Sequence, residues 1–209
     1  MFEFKNVTFK DFIKIKEMKI PGNQINFLVG DSGTGKTTLL KMLAKLISPT
    51  TGTIYFQNQP LDDMNSIEHR KKVILLPQKA HIFKYTIRDN LMIGLNYHHK
   101  SFTEEDLLNI LKEVQLNKKL DDDASLLSGG EQQRLALARI LLLDADVYLL
   151  DEPSSSLDQF SEKLIIKVIV EYIRKTKKTL IMVTHNLDIA NEYADNVIRL
   201  SEMKKEVSL

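Results

Sequence analysis

The chain of 209 residues has no cysteine. That excludes a disulfide framework and any thiolate metal site, and it fits a reducing compartment. Net charge is almost absent too: 29 Lys+Arg stand against 28 Asp+Glu, leaving +1. Such a balance offers no electrostatic argument for nucleic acid or an acidic membrane surface, so no nucleic-acid partner is expected. Long hydrophobic runs are missing as well. The opening MFEFKNVTFKDF lacks the apolar core of a secretory signal. The richest stretch, residues 135–150, is broken by Arg139, Asp144 and Asp146. It falls short of the roughly 18 uninterrupted apolar residues of a spanning helix. The expectation is a chain soluble by itself, which at a membrane would have to dock on something that spans it. Low-complexity tracts, long Gly/Ser linkers and internal repeats are also lacking. With 43% hydrophobic residues, 1–209 is expected to be one domain around one core.

What is there alternates strands with helices. FEFKNVTF and FIKIKEMKI alternate apolar and polar like a small β part at the start, and Pro21-Gly22-Asn23 is a turn signal. INFLVG, TIYFQ, VILLP, VYLLD, TLIMVTH and VIRL read as further strands. Helical spacing marks residues 35–46, 86–116, 129–142, 159–176 and 186–193. Strand–helix alternation implies an α/β fold with a mainly parallel sheet. The block 86–143 holds no convincing strand and reads as a helical lobe of about that extent, inserted between sheet strands.

Residues Gly30, Asp31, Ser32, Gly33, Thr34, Gly35, Lys36 and Thr37 fit the phosphate-loop pattern G-x-x-x-x-G-K-S/T, with Thr38 following on the helix. Glycines let the backbone wrap closely, successive N–H groups form an anion nest, and the helix adds its positive end. Lys36 is placed to reach the outer phosphates and the Thr37 hydroxyl to ligate Mg2+. The loop leaves a strand and enters a helix, as the chemistry requires. By itself it says only that a nucleoside triphosphate binds.

Leu127 to Arg134 reads LSGGEQQR and resembles the LSGGQ signature of the ATP-binding-cassette family. Ser128, Gly129, Gly130 and Glu131 open a helix there, which suits a γ-phosphate; the bland alternative is an ordinary capping box from Ser128 to Glu131. The resemblance extends over essentially the whole chain and implies a P-loop NTPase core, a small antiparallel β part and an α-helical signature lobe. It implies ATP and Mg2+ as cofactors and ATP hydrolysis as the activity. It also implies head-to-tail pairing with a second cassette, here a homodimer, each signature closing over the other's ATP.

In the same light VYLLDE resembles the Walker B strand, with Asp151 organising Mg2+ and Glu152 as general base or orienter of the attacking water. Gln78 resembles the Q-loop glutamine, contacting Mg2+ and sensing the transport partner. Ser156-Leu157-Asp158 resembles the D-loop of the dimer seam, and His185 the switch histidine near the γ-phosphate. The family offers an aromatic ring for adenine near its start; Phe12 is preferred over Phe9, and either ring could instead be core. Adjacent His98 and His99 point apart and do not read as a metal site. Asp121 to Asp123 read as a solvated loop.

The role implied is the ATPase subunit of a membrane transporter, peripheral at the inner face of the cell membrane and partnered by an integral-membrane subunit. LLKMLAKLISPTTGTIYF and IFKYTIRDNL resemble the small ATPases of Fet-type iron exporters. The alternatives are a soluble, non-transport cassette, and a phosphate-loop kinase that would leave the signature unexplained.

Overall fold

A computed structural model describes residues 1–98, 102–154, 157 and 159–200, with the backbone alone at 96–98 and 159–160. Two sheets form. Strands β1 (Phe2–Phe9), β2 (Ile13–Ile20), β4 (Thr51–Phe56) and β5 (Gln59–Pro60) make an antiparallel sheet in the order β2-β1-β4-β5. The second sheet runs β6 (Val73–Leu76), β7 (Val147–Asp151), β8 (Thr179–Val183), β3 (Ile25–Val29), β9 (Asn196–Arg199). In it β7, β8, β3 and β9 pair parallel. Every residue of β3, β7 and β8 is buried, which is why these strands read as unbroken apolar runs. Strand β2 alternates buried and exposed positions, the mark of one solvated face.

The parallel register decides where chemistry can occur. Leu28 of β3 pairs with Val183 of β8, and Val183 pairs with Asp151 of β7. The residues that follow these three strands therefore leave the sheet side by side at its carboxyl edge, the ligand edge of open α/β sheets. Helix α1 (Lys36–Leu43) starts from the loop after β3. It stops short of the predicted Leu46 because Lys45 turns left-handed, φ 52°. Leu46 N–H then bonds Lys41 C=O and Lys45 N–H bonds Met42 C=O, both at 2.9 Å, a Schellman stop. The Lys45 ammonium donates onward to the carbonyls of Leu61, Asp62 and Met64.

One compact unit holds residues 1–75, 146–152 and the stretch from Ile173 onward. Its core joins Phe2, Phe4, Phe56, Leu39, Leu149 and Ile181. It also contains α2 (Ser66–Lys72), a helix missed by periodicity but signalled by Asn65, whose side chain accepts from Ile67 and Glu68 N–H. Helix α7 (Leu187–Tyr193) leads into β9.

The second unit holds 76–145 and 153–172. The predicted helical run 86–116 is two helices, α3 (Ile87–His98) and α4 (Glu104–Glu113), the latter begun by a Thr103–Asp106 capping box. Helix α5 (Gly129–Leu141) packs on both, and Leu91 of α3, Leu111 of α4 and Leu135 and Ala138 of α5 are all buried. Most of α6 (Gln159–Thr176) belongs here. Among the described residues 86–143 hold no strand, only an isolated bridge between Thr86 and Asp123.

Candidate functional site

The loop from Gly30 to Gly35 has three glycines at positive φ, Gly30 at 153°, Gly33 at 78° and Gly35 at 101°. Gly35 is the N-cap of α1, and nothing larger fits: a Cβ there would lie 2.7 Å from Ile13 Cγ1 and 3.4 Å from Phe12 Cε2. Lys36 is 6% exposed and folds back on its own loop, its ammonium donating to the carbonyls of Gly30 at 2.8 Å and Asp31 at 2.9 Å. Burial pulls its pKa down from the usual lysine range, against the carboxylates of Glu152, Asp151 and Asp31.

Asp151 ends β7 and is 5% exposed. The Thr37 hydroxyl donates to its Oδ1 at 3.1 Å. Burial pushes the Asp151 carboxyl up, the Thr37 hydrogen bond opposes this, and neighbouring Glu152 adds to it. A hydroxyl and a carboxylate oxygen so close are the hard-oxygen pair that Mg2+ takes, and the excess negative charge on a buried acid favours a cation. Among the described residues no cluster of three or more His, Cys, Asp or Glu could hold a metal. Thr37 and Asp151 would therefore hold Mg2+ together with phosphate oxygens and water.

Glu152 follows in the left-handed region, φ 48°, with its N–H bonded to Val183 C=O at 3.2 Å. That conformation costs a non-glycine residue on the order of 1–2 kcal/mol, and it turns the side chain off the strand line. The carboxylate meets His185: Nε2–H donates to Oε1 at 2.6 Å, with the glutamate side chain 17% and the histidine 46% exposed.

Phe12, Ser32, Gly33, Lys36, Thr37, Thr38, Glu152 and His185 line one open cleft of about 390 Å³. Sequence reading preferred Phe12 to Phe9. Phe12 lines the cleft, whereas Phe9 packs against the Phe12 ring at 81°, ring centroids 5.7 Å apart. Five predicted participants, Lys36, Thr37, Asp151, Glu152 and His185, are thus joined with Phe12 in one unit.

The remaining predicted residues lie in the second unit. Gln78 is exposed, two residues beyond β6. Ser128 caps α5: its own N–H donates to Glu131 Oε2 at 2.9 Å, and Glu131 N–H donates to Ser128 Oγ at 3.4 Å. Glu131 also pairs with Lys118 at 3.0 Å. The Ser128 N–H and this lysine hold its carboxyl below the usual range. Lys118 carries no local sequence signal, because the loop before α5 brings it there. A Cβ at Gly129 would meet nothing within 4 Å, so the helix opens onto free space. Ser156, Asp158 and His99 lie outside the described residues.

Residues 13–155, more than half of the chain, match the model of a family described as ABC transporter. The chain is 36% identical over 199 residues to the lactococcin-A transport/processing ATP-binding protein LcnC of Lactococcus lactis, covering 90% of this chain and 27% of that protein. The petrobactin import ATP-binding protein FpuD of Bacillus anthracis is 31% identical over 192 residues, covering 88% of this chain and 70% of that one. The chain thus spans about a quarter of the longer relative and most of the shorter. The dimeric post-hydrolysis structure of the ATP-binding cassette MJ0796, bound to ADP and phosphate, superposes with a TM-score of 0.83 at 26% identity, covering 95% of this chain and 94% of that one.

Proposed function

Because the chain belongs to the ABC transporter family, we propose that it binds ATP with Mg2+ and hydrolyses it as a head-to-tail pair of identical cassettes, driving a separate membrane-spanning subunit. One observation carries the catalytic part. The Glu152–His185 contact, 2.6 Å long, stands on the cleft that also holds Lys36 and Thr37. The cradle binds the triphosphate, and Lys36 leaves its two carbonyls for the outer phosphates. Thr37 and Asp151 would hold Mg2+, which would supply charge neutralisation for the triphosphate. Glu152 takes the proton of the attacking water as the bond from the γ-phosphorus to its bridging oxygen breaks. His185 holds Glu152 before the nucleotide arrives and then turns its N–H to a γ-phosphate oxygen. Phe12 stacks on adenine. The open turn Ser128–Glu131 closes over the triphosphate of the second copy, its N–H groups and helix dipole facing the anion.

Glu152→Gln keeps the size, the left-handed backbone and a hydrogen-bond acceptor for His185 but cannot take a proton. Turnover is expected to fall about 100- to 10,000-fold, with ATP binding kept and an ATP-dependent dimer trapped. Phosphate release and sedimentation of the variant measure both. Normal turnover would remove Glu152 from the chemistry.

No described helix is long and apolar enough to cross a membrane, and the relatives are named as transport proteins, which supports a peripheral subunit at the inner face of the cell membrane rather than a non-transport cassette. The finer reading, a Fet-type iron exporter, rests on residues 39–56 and 82–91. It requires that an integral-membrane protein copurify from membranes and that loss of this chain raise cellular iron. Unchanged iron on deletion would reject it.

A further inference from the structure

The loop after Gln78 is tied to the signature-bearing helix by one side chain. Arg139 of α5 donates through Nη2 to the His81 carbonyl at 2.8 Å. Its guanidinium carbon lies 5.4 Å from the centroid of the Phe83 ring, and the His81 imidazole meets the same ring edge-on at 4.8 Å. Behind the loop stands Asn90 of α3, fully buried. It accepts from Phe83 N–H at 2.9 Å and donates to the carbonyls of Phe83 and Thr86, both at 3.0 Å. The outer face of the loop is left to solvent, with Tyr85 61% exposed.

Arg139 is a poor choice if stability is its only purpose. Its Nη1 is buried without a hydrogen-bond partner, and burial pulls the guanidinium pKa below its usual range. A buried, unsatisfied donor destabilises a fold, and an apolar side chain of similar size is commonly neutral or better. What an apolar residue cannot do is hold a carbonyl and a ring face at once. That planar, two-point grip fixes the loop to α5 in direction as well as distance.

We propose that Arg139 is a positioning residue that makes the loop from Gln78 to Tyr85 and helix α5 one mechanical piece. Displacement of the loop is then passed along α5 to the Ser128–Glu131 turn, about 15 Å away at 1.5 Å per residue. The proposal rests on the reading that this turn closes on the triphosphate of a second copy. A turn misplaced by about 1 Å loses on the order of 100-fold in rate, so even a partial slackening should be measurable.

The test uses the full chain with Arg139→Leu, Arg139→Lys and Phe83→Leu. Each is measured for melting temperature, for kcat and KM of ATP hydrolysis, and, with Glu152→Gln added, for ATP-dependent dimerisation by sedimentation. Arg139→Leu is expected to melt at or above the parent and to keep KM. Its kcat should fall, and its dimer weaken, by about tenfold or more. Lysine, which restores the carbonyl contact but not the planar face, should recover part of the loss. Phe83→Leu, which keeps the carbonyl contact, should lose less and carries the test if Arg139→Leu does not fold. A lower melting temperature with kcat and dimerisation within about twofold of the parent would make Arg139 a packing residue and overturn the proposal. If Glu152→Gln itself fails to dimerise on ATP, the paired-cassette reading falls, and that control separates the two failures.

Discussion

Replacing Asp151 by asparagine is expected to make the metal-free, nucleotide-free protein more stable while impairing its site. Asp151 is 5% exposed; burial raises its pKa, the Thr37 hydroxyl opposes the rise, and the charge of Glu152 adds to it. A carboxyl raised above its unfolded value of 3.8 contributes stability below that pH and loses it as pH rises through the folded value. At neutral pH the ionised side chain is therefore a net cost. Asparagine has the same shape, accepts the Thr37 hydrogen bond through its carbonyl oxygen, and brings no charge to desolvate or to repel Glu152. The gain expected is about 1 kcal/mol, the usual size of relief at a functional site, or roughly 2–4 °C in Tm for a chain of this length. Thermal and urea unfolding in EDTA at pH 7.5 would measure it, and the advantage should shrink as pH falls towards 4. Mg2+ and ATP should reverse the order. At a 100-fold excess over Kd the natural protein gains about 2.7 kcal/mol from binding, and the variant, lacking the carboxylate, gains less. An Asp151→Asn protein that melts at or below the natural one in EDTA at neutral pH would refute the claim that this buried acid is held at a cost for its cation.

Phe12→Ala is expected to weaken ATP binding about two- to twelvefold, the worth of one aromatic stack, while leaving inorganic tripolyphosphate unaffected; equal ATP affinity by calorimetry would rule out stacking on this ring. His69 predicts a pH dependence of folding. It is 1% exposed, its Nε2 lies 2.7 Å from the Leu43 carbonyl, and its buried Nδ1 has no partner. Burial above all holds its pKa below the ordinary 6.5, with the Leu43 bond opposing. The unfolded chain thus binds the proton more readily, so stability is full above about pH 6.5 and falls as pH drops through the folded value. Urea midpoints between pH 7.5 and 5.5 should fall less steeply in His69→Leu, and parallel slopes would acquit this histidine.

The candidate site was legible wherever it depended on order along the chain. The phosphate loop, the carboxylates at the end of β7 and the signature turn are local patterns whose spacing carries their meaning, and parallel pairing brings Lys36, Asp151, Glu152 and His185 to one sheet edge. What stayed hidden depends on partners distant in sequence. The alternation of residues 2–9 and 12–20 marked both as strands but gave only a narrow preference for Phe12 over Phe9, because which ring lines the cleft depends on residues distant in sequence. Strand β5 is two residues long, below any detectable period. The left-handed turns at Lys45 and Glu152 use residues that rarely adopt them, so no local propensity announces them. Arg139 looked like one of the interruptions of an apolar run; only packing shows its grip on the loop.

The way Lys36 lies against the carbonyls of Gly30 and Asp31 bears on the life of the protein between turnovers. An empty anion trap with a bare ammonium would collect any sulfate or phosphate that drifted past. With its ammonium bonded to two peptide oxygens, Lys36 is expected to leave them only for a ligand that offers more. A triphosphate does so with several charged oxygens at once, and a stray monoanion competes poorly. If Lys36 takes the outer phosphates as proposed, the same two carbonyls are expected to receive it again on release.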